Sequence, residues 1–159
     1  MSPVQKERTM ITTEQLPLGV LYERDETAWL EAMSELIGAG DFHELDYPHL
    51  KEYLEDMARR DRRKVESRLA ILIAHLLKWT CQPEMRTPSW RGTIIVQRYK
   101  LTKLLESGSI RQHAQAVVAQ SFADGLKLAI EQTRLSADRF PPECPWTLDE
   151  LLTMELADQ

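Results

Sequence analysis

Three residues of one helix-forming stretch could do chemistry together. Asp61, Arg68 and His75 are spaced by seven, so on a helix they lie along one line, two turns apart. Histidine supplies general acid and base near neutral pH, and arginine stabilises charge on phosphate. An arginine and a histidine seven apart also occur in helical, metal-independent ribonucleases of the HEPN type, although Leu69 stands where that pattern has a polar residue. The competing account is structural: a histidine hydrogen-bonded inside the helical packing and Arg68 paired to a carboxylate. The sequence favours the structural account and keeps Arg68 and His75 as the alternative, catalytic pair.

A second set lies in "SWRGTIIVQR" at 89–98. Arg91 and Arg98 share a face, and Gln97 borders the apolar positions 90, 94 and 101. The two arginines could bind an anion or phosphate. The simpler expectation is that Arg91, Gln97 and Arg98 hold their helix against neighbouring helices, through acids such as Asp25, Glu55, Asp56 or Glu66. The run "RRDRRK" at 59–64 is basic, but Asp61 and Glu66 interleave with it. It reads as a solvated, self-paired face rather than a nucleic-acid patch.

Metal and cofactor chemistry find no support. The four histidines, His43, His49, His75 and His113, form neither a Glu-x-x-His nor a His-Glu-x-x-His pattern. There is no nucleotide-binding glycine loop and no nucleophile elbow. We therefore expect no metal and no cofactor. Cys81 and Cys144 make no disulfide framework and suit a reducing compartment.

The elements that must position these residues are helical. Apolar residues recur at three and four from Leu21 to Ile37, and "GAGDF" stops that helix. Asp46 caps a helix of about 30 residues running to Trp79, charged in its first half and apolar nearly all round in its second. Thr87 and Pro88 open a third, to about Leu105, and Ser109 caps a fourth. Gly125 inside the fourth implies a close helix contact. "TLDE" at 147–150 is a capping box for a short closing helix. No strand pattern competes. The expected fold is all-α, a bundle of four main helices with a short C-terminal helix, as one domain over residues 18–159 after a flexible arm at 1–17.

The strings "YERDETAWL", "ESRLAILIAHLLKW", "QPEMRTPSWRGTIIVQR" and "FPPECPWTLDELL" resemble a bacterial helical family, the domain of unknown function numbered twenty-nine. The resemblance runs from about Leu21 to Leu152. It implies a small all-α fold and brings no activity with it. It marks as the family pattern Tyr22, Asp25 and Trp29, then Glu55 and Asp56, then Ser67, Arg68 and the stretch 75–79, then Ser89, Trp90, Thr93, Ile94, Gln97, Arg98, Cys144 and Pro145. Lys51 stands where the family pattern has a glutamate, which removes one ligand from any four-carboxylate metal cluster.

The balance of 20 Lys+Arg against 25 Asp+Glu, a net charge of −5, argues against bulk binding to nucleic acid or membrane. "MSPVQKERTM" has no signal-peptide core, and the longest apolar run, at 69–77, is too short to span a bilayer. The expectation is a cytoplasmic, non-enzymatic module acting through contacts with another protein, as an adaptor or an antitoxin-like member of a pair. Self-association is compatible with the sequence, but no residue marks it.

Overall fold

The computed structural model describes residues 16–157. The arm expected at 1–17 lies outside the described residues up to residue 15. Its last two positions belong to structure: Leu16 packs against an apolar cluster, and the Pro17 carbonyl accepts from the Val20 and Leu21 amides.

The fold is all-α. Among the described residues six α-helices follow one another: α1 (Leu18–Arg24), α2 (Glu26–Ala39), α3 (Tyr47–Cys81), α4 (Pro88–Leu104), α5 (Gly108–Thr133) and α6 (Leu148–Thr153). The four main helices are α2 to α5, and α6 closes the chain. The described chain divides into two compact units, up to Met57 and from Ala58 onward.

The first unit holds α1, α2 and the opening turns of α3. A single helix was expected from Leu21 to Ile37, but Asp25 interrupts it. Asp25 adopts φ −151°, ψ 83°, and its carboxylate accepts from the Ala28 amide at 3.0 Å, capping α2. An aspartate at an otherwise apolar position satisfies orphan N–H groups better than it continues a helix. At the other end of α2, Gly40 takes the left-handed conformation at φ 77°, the stop expected from "GAGDF". The core here is small: Leu21, Trp29 and Met33, with Tyr22, Leu50 and Tyr53 against them. The Trp29 indole N–H donates to Asp46 Oδ2 at 3.2 Å, so its one polar atom is satisfied. His49 Nδ1 lies 2.7 Å from the same carboxylate oxygen.

The second unit holds the rest of α3 with α4, α5 and α6. Val65, Leu69, Leu72, Ile73, Leu76 and Leu77 of α3 are fully buried, which places the main core where the helix is apolar nearly all round. Ile94 and Leu101 of α4, Phe122 and Ala129 of α5, and Leu148 and Leu151 of α6 pack with them. A Cβ built on Gly125 would lie 2.8 Å from the Ala70 carbonyl oxygen and 2.9 Å from Ile73 Cγ2. That is the close contact between α5 and α3 that the glycine implied. Thr87 accepts from the Trp90 amide at 3.2 Å and Pro88 takes the first helical position of α4. Ser107, rather than Ser109, is the N-cap of α5, through its backbone carbonyl to the Arg111 amide. Both halves of the capping box at α6 form: Glu150 N to Thr147 Oγ1 at 3.2 Å, and Thr147 N to Glu150 Oε2 at 2.8 Å.

Candidate functional site

The residues singled out by type and spacing are mostly engaged inside the second unit. Arg68 Nη1 donates to Gln97 Oε1 at 3.3 Å, joining α3 to α4. One member of each candidate set therefore meets the other. His75 is half-buried, and its Nδ1 lies 2.9 Å from the Ile71 carbonyl of its own helix, which fixes that nitrogen as the donor. Burial lowers the His75 imidazole below its ordinary range; Lys78 adds to the shift and the Ile71 contact opposes it. Glu66 turns to α5, where its carboxylate lies 2.7 Å from His113 Nε2.

Arg98 does not reach an acid on a neighbouring helix. Its Nε donates to the Leu151 carbonyl of α6 at 2.9 Å. The carbonyls at a helix C-terminus lack intrahelical partners and carry partial negative charge, so a guanidinium satisfies them. Burial lowers the Arg98 guanidinium, and its Nη2 is shut from solvent with no hydrogen-bond partner among the described residues. That nitrogen is not offered to an external anion. Arg91 and Arg98 line a shallow cleft of about 360 Å³ with Ile95 and the segment 153–156, and Glu155 brings a carboxylate into it.

Lys78 belongs to the family stretch 75–79, but its type and spacing gave it no role. It is buried in the core-forming half of α3, donates to Gln132 Oε1 at 2.6 Å, and stands 4.8 Å from the Trp90 ring centroid. Burial lowers its ammonium. A neutral amide and an aromatic face replace a carboxylate as its partners. The Cys144 thiol donates to the Trp146 carbonyl, and burial raises its pKa, so it is a poor nucleophile. Among the described residues no three His, Cys, Asp or Glu side chains converge as metal ligands.

The outward face of α4 was also missed. Ile94 and Leu101 turn inward and are fully buried, while Ile95, Val96 and Tyr99 stand 56%, 45% and 65% exposed. Gly92 shares that face, and a Cβ built on it would meet nothing within 4 Å. The signal was legible: "TIIV" carries more apolar residues in succession than one buried stripe needs. α4 contains Arg91, Arg98, Lys100 and Lys103 and no Asp or Glu.

The family pattern spans this whole arrangement, matching residues 21–157. The chain belongs to the family described as Domain of unknown function DUF29. No curated protein and no solved structure matches it. In this DUF29 chain, Arg68, His75, Gln97 and Arg98 all serve contacts within the second unit. No helix among its described residues is long and apolar enough to cross a membrane.

Proposed function

We propose that this chain is a non-enzymatic protein-contact module, adaptor or antitoxin-like, and that the outward face of α4 is its contact surface. The observation that supports this is the exposure of Ile95, Val96 and Tyr99 together on one face of a capped, well-packed helix. Contiguous exposed apolar side chains keep an unfavourable hydration cost of roughly 25 cal/mol per Å² that a partner removes. The buried centres of protein interfaces are more apolar than the rest of the surface, and tyrosine is enriched in them. The engagement of Arg68 by Gln97 and of His75 by Ile71 favours this reading over the ribonuclease alternative. In this reading the protein works in a reducing cytoplasm, where Cys81 and Cys144 remain thiols.

The test is purification of the chain from its native cells at native level, with quantification of what accompanies it. One partner in stoichiometric amount, lost in Tyr99→Asp with the helical circular dichroism intact, is the expected result. Recovery of the wild-type chain alone would sink the proposal.

A further inference from the structure

We infer that the occupant of the α4 face is an acidic amphipathic helix of a partner protein. The inference rests on the reading of α4 as a contact face and specifies what fits it. Gly92 is the first argument. A glycine inside a helix costs about 1 kcal/mol relative to alanine. Gly125 has an internal reason for that cost, the backbone of α3 against it, whereas Gly92 has open space where a side chain would be. A notch in an exposed helix surface lets another backbone approach closely.

The spacing is the second argument. Gly92, Ile95, Val96 and Tyr99 recur at three, four and seven, a straight track of about 10 Å at 1.5 Å per residue. A helix lying along α4 presents its own stripe of the same length and period.

Charge selects the partner's chemistry. On the exposed side of α4 the track is accompanied by Lys100 and Lys103. Lys100 has no ion-pair partner among the described residues, and Lys103 has only the exposed Glu106 at 3.5 Å, a contact readily exchanged. With no carboxylate on α4, an incoming helix gains by carrying glutamates beside its apolar stripe. A second copy docked through the same face would bring its own Lys100 and Lys103 against this surface, with Glu106 and Glu155 at the edges as the acids to meet them, fewer than a glutamate-flanked helix supplies. A nucleic acid would find aliphatic Ile95 and Val96 along most of the track where it needs stacking surfaces.

The experiment uses the full chain and two fluorescein-labelled 18-residue helical peptides. Both carry a leucine and alanine stripe; one is flanked by glutamates and its twin by lysines. Fluorescence anisotropy should show the glutamate peptide binding at least tenfold more tightly, and less so as salt rises. Gly92→Leu should weaken it at least tenfold without lowering the melting temperature. Lys100→Glu with Lys103→Glu should invert the preference between the peptides. Equal binding of both peptides, binding of neither, or indifference to Gly92→Leu overturns the inference. So does tighter binding of a uridine oligonucleotide with the same α4 dependence, or a dimer in light scattering that Gly92→Leu dissociates. A co-purifying partner lost in Tyr99→Asp, together with peptides that bind alike, leaves the contact face standing and removes the acidic helix.

Discussion

The two units of this chain differ in charge as much as in size. Residues 1–57 hold 4 Lys and Arg against 13 Asp and Glu, a net of −9; residues 58–159 hold 16 against 12, a net of +4. The overall −5 is the sum of two opposed fields and describes neither. In the first unit the carboxylates act on their surroundings. The Tyr22 phenol is raised above its ordinary value, first by desolvation and then by Glu52, Asp56, Glu26 and Asp46. In the second unit, three cations withdrawn from the surface are spent on neutral partners: Arg68 on Gln97, Arg98 on a carbonyl, Lys78 on Gln132. The cores differ in the same direction. Three buried residues, Leu21, Trp29 and Met33, anchor the first, while the second is built on the buried stripe of α3 formed by Val65, Leu69, Leu72, Ile73, Leu76 and Leu77. A net charge therefore limits partners only once it is assigned to a region, since electrostatic recognition acts within about a Debye length.

The largest expected effect tests the two cores. Trp29→Ala should cost about 3–5 kcal/mol, since it empties the centre of the small core and leaves the Asp46 carboxylate with His49 as its remaining side-chain partner. Hydrogen exchange should then show lost protection over 18–53 while amides near 69–77 stay protected. Uniform loss across both units would break the comparison.

Within the second unit, two glycines on different helices should answer the same change with opposite sign. Gly125→Ala forces a methyl against Ala70 O and Ile73 and should cost about 1–3 kcal/mol. Gly92→Ala meets open space and should stabilise by up to about 1 kcal/mol. Urea denaturation of both variants decides the point, and two changes of the same sign would refute it.

A smaller effect comes from His75. Its folded-state pKa is lowered by burial, so the unfolded chain binds the proton more readily than the folded one. Stability should be fully present above about 6.5, the ordinary imidazole value, and should fall as the pH drops from there through the lower folded value. His75→Gln should flatten that part of the profile. A profile unchanged by the substitution would mean that other groups govern acid stability. Lys78 contributes at the alkaline end with the same sign. Its lowered folded value makes stability rise with pH between that value and the ordinary lysine range, and Lys78→Met should remove the slope.

The smallest effect is at the acidic surface. The exposed Lys51–Glu55 pair, at 2.7 Å and four residues apart, should contribute no more than about 0.5 kcal/mol. Lys51→Ala measured at low and high salt checks it. A loss above 1 kcal/mol would mean that the acidic unit depends on its few cations far more than exposure suggests.

The elements were legible because the signals that start and stop helices are local. Thr87 and Pro88, the Thr147–Glu150 box and Gly40 act through backbone groups a few residues away, so spacing alone reveals them. The all-α class followed from periodicity over α2 to α5, and the buried half of α3 from its density of apolar residues. Asp25 shows the limit of that reading, because a cap inside a continuous apolar rhythm looks like one polar member of a stripe. Burial of particular side chains was decided elsewhere. Leu54 fits the stripe of α3 yet stands 59% exposed, and Ile95 differs from Ile94 only by which way α4 turns. The destination of each long cation was also tertiary. Arg98 found a helix-end carbonyl 53 residues onward and Arg68 an amide 29 residues onward, partners whose approach depends on packing between helices. The sequence determined where helices begin, end and carry apolar residues, since those are short-range preferences of the backbone. Only the tertiary structure decided which apolar residues are covered, because exposure depends on what the rest of the chain leaves unpacked.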